Sequence, residues 1–254
     1  MTGGIEAAYL SQDSYVSLGV KQSIYAPEVR CEIYDTFLKY MGFLKENNYH
    51  DSNILSFEYV QQVEPRYDFV VVDEVQDLTT IQLLLILNML RLQGDFLLCG
   101  DSNQIVHPNF FSWANVKTLF YKHDDLNSQN DFLHILQTNY RNSPQVTELA
   151  NRILLLKQAR FGSIDRESNY LVQSNGDVQG TVRLLHDRAA IVQELDVKTK
   201  HSTRFAVVVM RDEQKIEAQR FFQTPLVFSI QEAKGLEYEN IILYNFISAE
   251  EKQY

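Results

Sequence analysis

The sequence of 254 residues is poor in cysteine and proline and has no surplus of positive charge. Its two cysteines, Cys31 and Cys99, lie far apart and outside any CxxC pattern, so neither a zinc site nor a disulfide framework is indicated. With five prolines and 22% charged residues, the composition argues against a disordered chain. The formal net charge of −10 excludes the overall basic character of a simple DNA-binding module, while leaving room for a locally basic groove.

The sequence also lacks a segment typical of secretion or of a membrane span. Its first residues, "MTGGIEAAY", have neither a basic start nor an apolar centre. The longest apolar run, "IQLLLILNML" at 81–90, is far shorter than the roughly 20 residues that a membrane-spanning helix needs. We therefore expect a soluble, cytoplasmic protein.

Hydrophobic periodicity predicts helices and strands that alternate along most of the chain. The predicted helices cover residues 28–47, 56–63, 80–92, 143–157, 189–197 and 212–222. The predicted strands cover residues 69–72, 95–101, 132–140, 181–187, 204–210, 226–230 and 239–246. Residues 158–180 are expected to form a loop. This alternation indicates an α/β fold with parallel sheets flanked by helices, and two sheets rather than one.

An acidic pair, Asp73 and Glu74, directly follows the apolar run "FVVV" of the first predicted strand. Uncompensated charge at the end of a buried strand is costly, which suggests that the pair has a function. Ligands of parallel α/β sheets bind beyond the carboxyl ends of strands, where Asp101 also falls after the next strand. An Asp there can hold Mg²⁺ while a neighbouring Glu polarises water. The alternative is that both residues favour the N-terminus of the following helix through its dipole.

Four short motifs occur in the order found in superfamily 1 helicases: "DEVQD" (73–77), "GDSNQ" (100–104), "NYRNS" (139–143) and "AKGLEYENIIL" (233–243). They resemble the DExQD Walker B motif, the GDxxQ third motif, the NYRS fourth motif and the KGLE fifth motif of the UvrD/Rep branch. The nearest resemblance is to the helicase-like region of tetratricopeptide and ankyrin repeat-containing proteins. Those proteins have a similar fifth motif and a similar Tyr/Phe-rich segment before Walker B.

The resemblance implies RecA-like P-loop NTPase lobes. Residues 1–128 would be the C-terminal part of lobe 1, and residues 129–254 an incomplete lobe 2. The implied cofactors are ATP and Mg²⁺. The implied partner is single-stranded nucleic acid, with DNA favoured over RNA, along which ATP hydrolysis would drive translocation.

Residue roles follow from the same resemblance. Glu74 would be the general base, Gln104 would sense the γ-phosphate or align the attacking water, and Arg141 would be an arginine finger. Asp73 would bind Mg²⁺. Residues of the fifth motif would also contact the nucleotide. Glu237 would approach the ribose, and Lys234 and Gly235 would lie at the cleft between the lobes.

The sequence departs from this family in four respects. The phosphate-cradling GxxxxGK[ST] motif occurs nowhere in the 254 residues, and no final arginine motif follows the fifth. We therefore expect a fragment of a longer polypeptide that is inactive in isolation. Near the third motif, His107 stands where the family has a base-stacking aromatic. The neighbours Phe110, Phe111 and Trp113 could stack bases, but a core position is favoured for them. Gln231 replaces a histidine of the fifth motif.

Two other classes of function stay open on the sequence. A pseudo-helicase would keep the fold as an interaction or scaffold domain without ATPase activity. A metal nuclease could use Asp73, Glu74 and Asp101, but it would not require the "NYRNS" or "AKGLE" motifs.

Overall fold

The structure is a computed structural model that describes residues 8–19, 22–23, 25–106, 111–120, 133–162, 168–176, 178–186 and 188–246. The chain divides into two compact units. Unit 1 consists of residues 1–135 and 160–170, and unit 2 consists of residues 136–159 and 171–254.

The α-helices described are α1 (Gln12–Val16), α2 (Arg30–Asn47), α3 (Ser52–Val60), α4 (Thr80–Leu87), α5 (Trp113–Phe120), α6 (Pro144–Phe161), α7 (Ala189–Thr199), α8 (Asp212–Ala218) and α9 (Ile230–Ala233). Short 3₁₀ helices precede α2 at Pro27–Val29 and follow the first two strands at Val75–Asp77 and Ser102–Gln104.

The strands are β1 (Val70–Val72), β2 (Phe96–Leu98), β3 (Thr138–Asn139), β4 (Gln173–Ser174), β5 (Phe205–Val209), β6 (Val227–Ser229) and β7 (Asn240–Leu243). In unit 1, β1 pairs with β2 in parallel. In unit 2, β3 pairs with β4, and the order β6-β5-β7 forms a three-stranded sheet; all these pairings are parallel. Small parallel sheets with helices confirm the α/β class.

The core of unit 1 lies between the β1–β2 sheet and the helices α4 and α5. Its buried residues are Val72, Val75, Leu83, Leu87, Leu90, Phe111 and Val116. The core of unit 2 forms where α7 and α8 pack on the three-stranded sheet. Its buried residues are Val192, Val207, Val209, Ala218, Phe222 and Val227. The β1–β2 sheet and the three-stranded sheet thus each have a packed face. The predicted site residues Asp73, Glu74 and Gln104 lie in the loops that follow β1 and β2.

Several predicted boundaries were wrong. The helix expected to reach residue 92 ends at Leu87. The chain beyond it returns to the segment before β1, where the N–H groups of Arg66 and Tyr67 donate to the Met89 carbonyl at 2.7 and 3.0 Å. Leu90 is therefore buried in a β-bridge with Tyr67 and does not continue the helix. Gly94, expected at the helix end, has φ 124° in the turn before β2.

The segment between α6 and α7 also differs from expectation. The helix α6 continues to Phe161, and residues 173–174 form β4 within the predicted loop. The predicted strand 181–187 is wrong, because residues 181–186 form no regular structure and Leu184 is 99% exposed. The predicted strand 132–140 is reduced to Thr138–Asn139 in its described part. Among the described residues, no helix combines the length and apolar character needed to cross a membrane.

Candidate functional site

The loops that follow β1 and β2 in unit 1 adjoin each other. The Cys99 N–H donates to the Val72 carbonyl at 2.8 Å, and the Val75 N–H donates to the Cys99 carbonyl at 2.9 Å. This exchange continues the parallel ladder past the ends of both strands. The acidic pair after β1 and the "GDSNQ" loop after β2 are therefore brought together, as the sequence predicted from the strand ends.

The two acidic side chains after β1 are exposed to solvent. The Glu74 N–H donates to Asp73 Oδ1 at 2.8 Å. Glu74 has φ 51° and ψ 39°, a left-handed conformation that is uncommon for a residue with a Cβ. Neither side chain caps α4, whose N-terminus is capped by Thr79 and Gln82; the Gln82 Oε1 accepts the Thr79 N–H at 2.9 Å. Glu74 directly precedes the 3₁₀ helix Val75–Asp77, but its side chain makes no capping hydrogen bond there.

A buried glutamine connects the two loops. Gln76 is 0% exposed; its Nε2 donates to Glu74 Oε2, and its Oε1 accepts the Asp101 N–H at 3.0 Å. Gly100 makes room for this side chain, since a Cβ at position 100 would overlap Gln76 Oε1 and lie 2.8 Å from Val75 Cγ1. The sequence prediction missed this role, although the glutamine stands inside the "DEVQD" motif.

The "GDSNQ" loop is ordered by Asp101. Its Oδ1 accepts the Asn103 N–H at 2.9 Å, and its Oδ2 accepts Gln104 Nε2 at 3.1 Å. Ser102 is buried, and its Oγ lies 2.6 Å from the Oγ of Ser168. The predicted site residue Gln104 is thus held in the loop after β2, which adjoins the loop that carries Asp73 and Glu74.

Unit 2 brings Arg141 and Glu237 together. The Arg141 guanidinium lies 2.8 Å from Glu237 Oε1, and both side chains are mostly exposed. Asn139 shapes the turn that presents Arg141, because its Oδ1 accepts the N–H groups of Arg141 and Asn142, both at 2.9 Å. Two residues that the sequence assigned to nucleotide contacts are therefore neighbours in space.

The fifth motif begins at the last residue of α9, Ala233; Lys234 follows the helix, and Gly235 has φ 78° in the turn after it. The Glu232 carboxylate accepts the Ser229 N–H at 3.0 Å and lies 2.6 Å from Lys215 Nζ on α8. Lys215 Nζ is also 3.3 Å from Asp212 Oδ1. The hydrogen bond from Lys215 and that from the Ser229 backbone lower the pKa of Glu232. This ion pair between α8 and α9 was not predicted from the sequence, because Lys215 and Glu232 are distant in the chain.

The aromatic residues near the third motif belong to the core in their described part. Phe111 is buried and Trp113 packs against it, with ring centroids 5.3 Å apart. This agrees with the favoured core interpretation. His107 and Phe110 lie outside the described residues.

No group of three or more His, Cys, Asp or Glu side chains in the described part of the chain is arranged to hold a metal ion. The metal-nuclease alternative, which needs Asp73, Glu74 and Asp101 as a ligand set, therefore has no geometric support. A nucleotide-bound Mg²⁺ sets a lower requirement, since it keeps several waters and takes one or two carboxylates together with phosphate oxygens. The exposed carboxylate of Asp73 fits that requirement.

Comparison with known proteins shows which family the first part of the chain resembles. Residues 20–127 match the family model of the UvrD/REP helicase N-terminal domain, a range that includes the acidic pair, Gln76 and Gln104. This match supports a UvrD-like helicase region within residues 20–127. The match ends before Arg141, so the second unit lies outside it.

Individual relatives support the same assignment. The chain is 23% identical, over 95% of its length, to the human TPR and ankyrin repeat-containing protein 1, of which it spans 9%. It is 29% identical over 39% of its length to the ATP-dependent DNA helicase UvrD2 of Mycobacterium tuberculosis, spanning 14% of that protein. A probable DNA helicase II homolog of Mycoplasma genitalium is 26% identical over 56% of this chain, which spans 19% of it. The chain thus covers less than a fifth of each of these relatives.

Proposed function

We propose that this chain is part of an ATP- and Mg²⁺-dependent helicase-like motor that moves along single-stranded nucleic acid, with DNA favoured over RNA. Residues 1–128 would contribute the C-terminal part of a RecA-like lobe 1, and residues 129–254 part of lobe 2. The observation that carries this proposal is the cluster of Asp73, Glu74 and Gln104 at adjoining strand ends within the UvrD/REP match.

In unit 1, we assign Glu74 as the general base and Gln104 as the residue that senses the γ-phosphate or aligns water. Asp73 would hold Mg²⁺, which supplies charge neutralisation to the phosphates when bound. The support is local: the exposed carboxylates of Asp73 and Glu74 follow β1, and Gln104 is fixed to Asp101 in the adjoining loop.

In unit 2, we assign Arg141 as the cation that stabilises charge on the transferred phosphoryl group, and Glu237 as the ribose contact. Lys234 and Gly235 would line the nucleotide site. The ion pair between Arg141 and Glu237 is exposed, and such pairs contribute about 0–1 kcal/mol. Arg141 can therefore exchange this carboxylate for a phosphate at little cost.

The test is steady-state ATP hydrolysis by the full-length polypeptide that carries these residues. Glu74→Gln removes the base but keeps the size, and Arg141→Ala removes the cation. We expect kcat to fall by about 10² to 10⁴ for Glu74→Gln and by about 10³ to 10⁵ for Arg141→Ala, with folding unchanged.

The matched control is Arg152→Ala, because Arg152 is another exposed arginine of unit 2 paired with a carboxylate, that of Glu148. We expect it to hydrolyse ATP at the wild-type rate. Wild-type turnover in both site variants would show that the residue assignments are wrong. No turnover in the wild-type protein would favour the pseudo-helicase interaction domain.

A further inference from the structure

The side chain of Gln76 occupies a position where only a primary amide of its length satisfies both neighbours. Nε2 donates to the Glu74 carboxylate, while Oε1 accepts the Asp101 N–H at 3.0 Å, and the residue is 0% exposed. A glutamate at position 76 could accept but would not donate, and its charge would repel Glu74. A methionine would fill the volume but leave the Asp101 N–H without this acceptor.

The backbone on either side of Gln76 is adapted to this contact. Glu74 adopts φ 51°, and such a conformation persists only where the surroundings enforce it. On the opposite side, Gly100 leaves the space that Gln76 Oε1 fills, because a Cβ there would overlap that atom. Gln76 thus contacts one residue with an uncommon backbone conformation, Glu74, and fills space that only a glycine at position 100 leaves open.

We propose that Gln76 is a positioning residue that fixes the Glu74 carboxylate and couples it to the loop Asp101–Gln104. A displacement of that loop would move the Asp101 N–H, which donates to Gln76 Oε1. Because the amide group of Gln76 is planar, its Nε2 would move as well and would shift the Glu74 carboxylate to which it donates. The inference rests on the proposed function, since it gives Glu74 a water to activate. It adds that the geometry of this base is set from the neighbouring loop.

The contact itself is tested in the 254-residue chain by amide hydrogen exchange, measured residue by residue by NMR. The variants are Gln76→Met, which removes the acceptor, and Gly100→Ala, which displaces the glutamine. We expect the Asp101 amide to exchange about tenfold faster in both variants.

Two controls match these variants. Gln82→Met removes the amide of another glutamine of unit 1, one that caps α4, and Gly42→Ala adds a methyl group where nothing lies within 4 Å. Both should leave exchange at Asp101 within about threefold of wild type. Unchanged exchange in Gln76→Met or, if that variant does not fold, in Gly100→Ala would overturn the inference.

The positioning role is tested by ATP hydrolysis in the full-length polypeptide. We expect Gln76→Met to lower kcat by about 10- to 100-fold while KM for ATP stays within about threefold, because the base is misplaced and nucleotide contacts remain. A wild-type kcat in this variant would overturn the inference and leave the proposed function intact. Absence of hydrolysis in the wild-type protein would overturn the proposed function and the catalytic part of the inference with it.

Discussion

Two long polar side chains in unit 1 are almost completely buried and bind loop backbone. Gln76 joins the loops after β1 and β2, and Arg30, only 1% exposed, organises the segment before α2. The Arg30 guanidinium donates to the carbonyl of Leu18 and, at 3.1 Å each, to those of Val16 and Tyr25. Charged donors make stronger hydrogen bonds than neutral ones, so a single arginine can hold a loop that has little apolar surface.

Replacing Arg30 by Met is therefore expected to destabilise unit 1. The substitution keeps most of the apolar volume but removes the charged donor that binds three partly buried carbonyl groups, which should cost about 2–3 kcal/mol in the free energy of unfolding. Urea unfolding followed by the fluorescence of Trp113, the only tryptophan, reports on this unit.

The control is Arg66→Met, since Arg66 is an exposed arginine of the same unit. It should change the free energy of unfolding by less than about 0.5 kcal/mol. Equal stability of the Arg30 and Arg66 variants would show that the carbonyl contacts of Arg30 contribute nothing.

The roles of Arg30 and Gln76 could not be predicted from the sequence, whereas the placement of Asp73 and Glu74 could. The apolar run "FVVV" predicts a strand, and the acidic pair that directly follows it must lie at the carboxyl end of that strand. Nothing in the spacing around Arg30 indicates that its side chain turns inward, because long polar residues are usually exposed. Burial of such residues depends on tertiary contacts with loops that sequence periodicity does not describe.

At the level of secondary structure, predictions succeeded where a helix had both periodicity and a clear start. The helices α2 and α6 were predicted nearly at their observed positions, and Pro144 is the first residue of α6, as expected. The strand predicted over 181–187 was wrong, because β-branched and apolar residues form a strand only when a neighbouring strand pairs with them. Likewise, the apolar run at 81–90 forms most of α4 and then, at Leu90, a β-bridge. Periodicity alone does not show where within this run the helix ends.

The ion pair between Lys215 on α8 and Glu232 on α9 predicts how the stability of unit 2 responds to acid. The hydrogen bond from Lys215 lowers the pKa of Glu232. A carboxyl group with a lowered pKa in the folded state contributes stability above its unfolded pKa, which is about 4.3 for Glu, and loses it as the pH falls through the folded value. We therefore expect unit 2 to lose stability below about pH 4.3, and Glu232→Gln to weaken this dependence.

The measurement is amide exchange of the buried β5 residues Ala206–Val209 between about pH 3 and 6, corrected for the intrinsic pH dependence of exchange. Glu213→Gln, on the same helix as Lys215, removes an equal charge and should keep the wild-type dependence. The effect should shrink in high salt, because the groups are accessible to solvent. Identical pH profiles of amide exchange for the wild type and Glu232→Gln would exclude the Lys215–Glu232 ion pair as a source of acid sensitivity.

For the molecule as a whole, net charge affects how strongly the proposed contact with nucleic acid can form. The chain has 33 acidic and 23 basic residues, and several basic side chains of the described part are engaged by carboxylates. Phosphate contacts need unengaged Lys or Arg, and base stacking needs exposed aromatic rings. Phe111 is buried, so it does not supply such a ring.

We expect the 254-residue chain to bind single-stranded DNA with a Kd weaker than about 10 µM at roughly 0.15 M salt, because release of counterions by unengaged cations supplies most non-specific affinity. Fluorescence anisotropy with a labelled oligothymidylate measures this. A triple variant, Glu148→Gln, Glu194→Gln and Glu239→Gln, removes the carboxylates paired with Arg152, Lys198 and Arg204 and changes the net charge from −10 to −7. If charge governs binding, this variant should bind more tightly than wild type and show a steeper salt dependence. Sub-micromolar binding by the wild-type chain would instead require a local basic groove that overrides its overall negative charge.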